Sequence, residues 1–297
     1  MGFSDGKLTQ SKMSASGPRI ILKAHIISLS NASERRAFQQ EQLSRLGIKY
    51  CVVDAVSTAD LSEIKSSILL NCWERPLMPT EVACFFSHYK IWQKIADGNE
   101  PALILEDDAL LSSDVPNFLC QIQKFDGLEH LSLEVRQRKK LIGSIRQVGV
   151  QLGFSRLYQD RTGAAAYILW PSGAKKLVNH ACTHGAALAD ALISNHVGLS
   201  SWQATPALAI QSDMAERYSI FCPLKTHSYI QANDSRANYK AVGRQSLYYK
   251  ARRIMGQLRL AKQSLTHFMH ATRQHVPINT DTFTGLSSNE KTPEYPA

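Results

Sequence analysis

The stretch Ala102-Leu103-Ile104-Leu105-Glu106-Asp107-Asp108 passes from four apolar residues straight into three carboxylates. A short apolar run of this kind reads as a buried strand, and acids at its end fall where open α/β sheets bind their ligands. Carboxylates packed together repel and are costly to strip of water, so a positive partner is expected among them. A divalent ion is the simplest one, held by one or two carboxylates with phosphate and water completing its shell. The alternative is an acidic turn leading into a helix near Asp114, because acids also favour helix N-termini.

Outward from this junction the pattern of apolar run, polar break and helix repeats. Ile20 to Leu29 reads as a strand that ends in Ser30-Asn31-Ala32-Ser33, with Ser33 the expected N-cap of a helix through Phe38, Leu43 and Leu46, closed by Gly47. Ile48 to Val53 gives a second strand ending at Asp54-Ala55, and the alternation implies a parallel sheet. Thr80 to Trp92, which contains Ser87-His88, suits a well-buried helix. Leu131-Ser132-Leu133-Glu134-Val135 alternates like a strand, and the basic stretch Arg136 to Arg146 reads as a surface loop near the active site.

Further on, Gly163-Ala164-Ala165-Ala166 precedes the strand-like Tyr167-Ile168-Leu169, and close approach of another group to the backbone is one reason for such small residues. Asp190 lies in the apolar segment Ala187 to Leu192, where an unpaired carboxylate is expensive, so it has a partner or a task. A last strand, Ala207 to Ile210, ends at Gln211-Ser212-Asp213.

At 297 residues with 44% hydrophobic content, the chain can bury a substantial core. Its six cysteines form no CxxC pair and read as free thiols in a reducing compartment; His180, Cys182 and His184 lack the second ligand pair of a zinc site. No apolar run is long enough to span a membrane and no signal-peptide core precedes a cleavage site, which predicts a cytoplasmic address. The formal charge is +9, and Lys240, Arg244, Lys250, Arg252, Arg253, Arg259 and Lys262 occur without an intervening acid, which points to an anionic surface as partner. Leu247, Ala251, Ile254, Met255, Leu258, Leu265, Phe268 and Met269 recur among them at helical spacing. Such a basic amphipathic helix either packs on the preceding domain or lies at a membrane interface.

His25-Ile26-Ile27-Ser28-Leu29 with Glu34-Arg35-Arg36, Asp54-Ala55, Glu81 through Ser87-His88, Leu105-Glu106-Asp107-Asp108, Gly163 to Tyr167, Asp190 and Pro206-Ala207-Leu208 follow one another over about residues 20 to 215. In this order and spacing they resemble glycosyltransferase family 25, the galactosyl- and glucosyltransferases of lipopolysaccharide biosynthesis and their collagen-modifying relatives. The resemblance implies a GT-A-like α/β fold, a Rossmann-type sandwich for a nucleotide-diphospho-sugar. Residues 1–19, rich in Ser, Gly and Lys and without period, read as a disordered leader, 20–235 as the catalytic domain and 236–297 as a basic helical region with a flexible tail.

The implied reaction is inverting transfer of a hexose, galactose foremost, from a UDP-sugar to a lipid-linked lipooligosaccharide hydroxyl, with Mn²⁺ or Mg²⁺. Charge developing on the departing diphosphate calls for a cation, and the high pKa of the acceptor hydroxyl calls for a carboxylate base. The resemblance assigns the metal to Asp108 and Glu106, and the donor to Ser28, Arg35, Asp54, His88, Glu106 and Asp107. It gives the base to Asp190, with Glu134 as second choice, and sets Gln211 near the metal or the diphosphate. Ser132 stands where bacterial members often carry Arg, and the stretch Arg136 to Lys140 is the candidate source of replacement cationic contacts. The basic helix would dock the enzyme peripherally on the inner face of the cytoplasmic membrane. A nucleotide-sugar hydrolase or phosphotransferase shares the metal site, and a nucleic-acid-binding module shares the charge; against the latter, the basic residues are not interleaved with aromatics on a sheet.

Overall fold

The acid-bearing run forms a strand inside a large mixed sheet. The computed structural model describes residues 22–64, 66–160, 163–195, 198–224 and 244–286; the leader expected over 1–19 lies outside them. β1 (Lys23–Ser28), β2 (Tyr50–Asp54) and β3 (Ala102–Glu106) pair in parallel in the order β2-β1-β3. They are connected through α1 (Ser33–Arg45) and α2 (Pro79–Ala96). Parallel strands so joined end on one edge, and Ser28, Asp54 and Glu106 are the residues at that edge. α1 starts at Ser33 itself, with Ala32 at the N-cap position and no side-chain cap, so the capping role expected of Ser33 is not realised.

β4 (Ala109–Leu111) follows directly on the acids, then α3 (Val115–Ile122). Because β4 intervenes, the triplet does not cap that helix, and the helix-cap alternative fails. The chain continues through β5 (His130–Ser132), β6 (Lys140–Gly149), β7 (Leu152–Gln159), β8 (Ala166–Leu169), α4 (Pro171–His184), α5 (Ala189–Asn195), β9 (Ser201–Thr205), β10 (Ala209–Gln211), α6 (Arg244–His267) and β11 (Thr272–Gln274). The main sheet has the order β11-β6-β7-β9-β5-β8-β3-β1-β2, while β10 pairs with β4 apart from it.

The expected parallel sheet therefore holds for only part of the molecule. β5 and β9 also pair in parallel, but β8 is antiparallel to β3 and β5, and β7 to β6 and β9. A turn as tight as the one between Gly149 and Leu152 can join only antiparallel strands. The basic stretch read as a loop is, from Lys140 onward, strand β6. Lys140 is 2% exposed, and its ammonium is satisfied by Asp160 at 2.6 Å, Gln203 Oε1 at 2.6 Å and the Glu134 carbonyl at 2.9 Å. A lysine enters a core when it is paired in this way. Arg136 is bound to Asp213 at 2.6 Å, so two of the expected cationic contacts are committed within the fold.

Alternation along the strands loads both faces of the sheet. Ile27 and Ile104 join Phe85, Trp92 and Leu177 on the side of α2 and α4, while Ile26, Leu103 and Leu105 join Leu43, Phe118 and Leu119 on the side of α1 and α3. By the same parity Glu106 faces α2, whereas Ser28 and Asp107 face α1. After α6 the chain returns to the sheet, and residues 287–297, at the end of the region expected to carry a flexible tail, lie outside the described residues. β11 pairs with β6, and Val276 and Phe283 pack against Leu110, Ile210 and Met214. No helix among the described residues is long and apolar enough to cross a membrane.

Candidate active site

A cleft of about 280 Å³ opens at the C-terminal ends of β1 and β3, and its lining includes Ser28, Arg35, His88, Glu106, Asp107 and Asp108. Asp107 accepts a hydrogen bond from Ser28 Oγ at 2.6 Å and pairs with Arg35 Nη1 at 3.0 Å. These contacts fix it on the α1 side. Glu106, one residue back, is held from the opposite side. His88 Nε2 lies 3.2 Å from Oε1, and Gln211 Nε2 donates to Oε2 at 3.0 Å. His88 is itself fully buried in α2, with Nδ1 2.9 Å from the Tyr167 hydroxyl, which also accepts the Trp92 indole N–H at 2.8 Å.

Asp108 has a different environment. Its Oδ1 is buried without a hydrogen-bond partner, and burial, followed by repulsion from Glu106 and Asp107, pushes its carboxyl up to about 7 despite Arg35. A carboxylate in that state is short of positive charge. The donor set of Asp108 and Glu106 is all oxygen, which suits a hard divalent cation.

Two further acids answer to the same field. Glu134 Oε2 accepts the Ala165 N–H at 2.9 Å while Oε1 is buried and unpartnered; burial first and Glu106 second raise this carboxyl to about 8. Gly163, at φ +117°, explains the small residues of that loop. A Cβ there would stand 3.2 Å from Glu134 Oε2, so the backbone approaches the carboxylate as only glycine permits. Asp190, at the start of α5, accepts the Ala191 N–H at 2.7 Å and is raised to about 6, by burial and then by Glu106 and Asp160, against the opposing pull of that N–H and of His88.

The fold thus brings Ser28, Arg35, His88, Glu106, Asp107 and Asp108 around one cleft, whereas Glu134 and Asp190 lie outside its lining and feel the charge of Glu106. Asp54 stands apart. It ends β2 beside Ser28, but its exposed carboxylate is paired with Arg36 at 2.5 Å, and the loop after it, Ala55 to Thr58, lines the cleft instead. Sequence reasoning passed over Cys84, which also lines the cleft. Its signal was the one-turn spacing to His88, hidden because Ala83-Cys84-Phe85 reads as core.

Fold and cleft together define an α/β protein that gathers acids at the C-terminal ends of its parallel strands, where α/β enzymes place their ligand sites. Residues 21–193 match glycosyltransferase family 25 (LPS biosynthesis protein), and the chain belongs to that family; it is a glycosyltransferase. Its relatives include the lipooligosaccharide biosynthesis protein lic2B of Haemophilus influenzae, 28% identical over 207 residues that span 63% of this chain and 75% of the relative. Lacto-N-neotetraose biosynthesis glycosyltransferase LgtB of Neisseria meningitidis serogroup B is 32% identical over 34% of this chain and 38% of its own length. LgtE of Neisseria gonorrhoeae is 27% identical over 50% and 56% respectively.

Proposed function

We propose that this glycosyltransferase moves a hexose, galactose foremost, from a UDP-sugar to a hydroxyl of a lipid-linked lipooligosaccharide acceptor, with inversion at the transferred carbon. The observation that carries the reading is the gathering of Glu106, Asp107 and Asp108 in one cleft at the ends of the parallel strands, with Oδ1 of Asp108 buried and without a hydrogen-bond partner. Held by Asp108 and Glu106, Mn²⁺ or Mg²⁺ would neutralise charge developing on the departing diphosphate.

The protein's own groups divide the remaining work. Arg35 and Ser28 fix Asp107, and that ion-paired wall gives the donor a rigid edge to bind against. His88 and Gln211 orient Glu106 so that it cannot swing away. Of the two candidate bases, Asp190 suits the task better. At about 6 it is largely ionised near neutrality yet more basic than an ordinary aspartate, whereas Glu134 at about 8 is mostly protonated there. Asp190 would take the acceptor hydroxyl proton as the new bond forms, and Glu134 would remain a neutral structural acid.

The acceptor's lipid anchor gives the C-terminal helix its role. α6 rests on the domain through Tyr249, Arg252 and Gly256, while Leu247, Ile254, Leu258 and Leu265 stand 59–77% exposed in a line on its outer side. Exposed Lys250 and Lys262 flank that line. An apolar stripe bordered by cations fits an anionic lipid surface, where each cation adds about 1 kcal/mol. The enzyme would sit on the inner face of the cytoplasmic membrane.

A screen of nucleotide sugars, with Mn²⁺ and with chelator, tests the donor reading by the UDP released and the glycosylated product formed. Metal-dependent transfer from one UDP-hexose is expected. Release of UDP without a glycosylated product would instead indicate a hydrolase, and turnover unaffected by chelator would remove the role given to Asp108.

A further inference from the structure

We propose that Cys84, His88 and Glu106 form a second cation site, one suited to a sulfur-accepting divalent ion of the zinc class rather than to the hard ion assigned to Asp108. Cys84 and His88 are four residues apart on α2, so their side chains leave the same face of the helix. Glu106 meets them from the end of β3, and a ligand atom from each of the three lies within 4.8 Å of the other two. Ligands at zinc bond lengths about a tetrahedral centre stand about 3.4 Å apart. His88 Nε2 and Glu106 Oε1 are 3.2 Å apart, so one edge of such a polyhedron is already built.

The surroundings are organised for the same purpose. A ligating histidine usually shares its second nitrogen with a polar partner that fixes the ring, and Tyr167 occupies that position on Nδ1, itself held by Trp92. Gln211 restrains the other oxygen of Glu106, which leaves Oε1 to the site. Asp190, Asp108 and Glu81 add negative potential at Cys84. An incoming divalent ion offsets that potential. Its binding breaks the S–H bond and releases the thiol proton to solvent, while the imidazole stays neutral with its proton on Nδ1.

The thiolate sets the preference, since Mg²⁺ and Mn²⁺ favour oxygen whereas zinc and cobalt accept sulfur and imidazole. Glu106 belongs to both sites. An ion bound at Cys84 would therefore withdraw Glu106 from the hard-cation site, and the two occupancies would compete.

Titration of the full-length protein with Co²⁺, without nucleotide, reads the site directly through the near-ultraviolet charge-transfer band of a cobalt-bound thiolate. The expected result is a band that saturates at a single ion per chain and is displaced by Zn²⁺. It should vanish in Cys84→Ser, persist in Asp108→Asn, and require about tenfold more cobalt in Tyr167→Phe. Absence of the band in the unmodified protein overturns the proposal. So does its persistence in a folded Cys84→Ser variant, which would assign it to another of the six cysteines. Should Cys84→Ser fail to fold, His88→Gln gives the same two readings, with loss of the band supporting the site and full retention overturning it.

Discussion

The acid cleft and the outer side of α6 break opposite rules of protein folding. In the cleft, carboxylates that would be cheaper in water are buried beside one another. On α6, leucines and an isoleucine that would be cheaper in a core face solvent. Neither arrangement is favourable in the isolated chain; under the proposed function a cation offsets the first and an anionic lipid surface covers the second. The two regions also differ in how they are supported. The cleft residues come from β1, α1, α2 and β3 towards the β2 edge of the sheet, whereas α6 lies over the β7 side and is followed by the opposite edge strand β11.

The sharpest way to break the comparison is at the chemistry, which only the cleft should carry. Asp190→Asn removes the proposed base while keeping its size and its Ala191 contact, so kcat should fall about a thousandfold with KM for the donor nearly unchanged. Steady-state kinetics with the donor identified by the screen checks this. An equal loss in Glu134→Gln and none in Asp190→Asn would exchange their roles.

The next effect is on stability, and its sign distinguishes a functional carboxylate from a structural one. Asp108 rises from an ordinary 3.8 to about 7 on folding, so between those values the native protein holds a proton that the unfolded chain has released. Its contribution is full below about pH 4 and is lost as pH rises towards 7, a change of about 4 kcal/mol at most, at 1.36 kcal/mol per pKa unit. In chelator, Asp108→Asn should therefore flatten the fall in stability across that window and be the more stable protein at pH 8. Denaturant melts at several pH values test it, and a destabilised Asp108→Asn would mean that the acid is structurally satisfied.

What could be read from the sequence follows the same division between regions. β1, β2 and β3 were legible because each is an apolar run closed by a polar break, and the acids at the end of β3 stood out from that alone, with a cation site and a helix cap as the two readings. Of the sheet beyond β8, only β5 was, through the alternation of Leu131 to Val135. Lys140 makes a core strand look like a surface loop until its pairing with Asp160 is known, and that partner is 20 residues away. β11, Thr272-Arg273-Gln274, has no apolar alternation and is a strand only because β6 offers it an edge. Within the site, Glu106, Asp107 and Asp108 were visible as a group, but their separation onto two faces depends on Ser28, Arg35 and His88. Such long-range contacts leave no mark in the local pattern.

The smallest predicted effect falls on α6, and its value lies in leaving the cleft untouched. Deleting the chain from the helix onward would confuse the issue, since β11 and Phe283 lie beyond it and belong to the fold. Leu258 and Leu265 are 63% and 77% exposed, so replacing both with Asp removes little packing and should change stability by about 0.5 kcal/mol or less per site. The same double substitution places two charges in the proposed lipid contact and forfeits the apolar area that would be buried there. Binding to vesicles containing anionic phospholipid should weaken about a hundredfold, an equivalent of about 3 kcal/mol. Transfer to a water-soluble acceptor should proceed as before. If sedimentation with vesicles is unchanged while that activity collapses, α6 is a structural support of the active site, and its exposed stripe needs another partner than lipid.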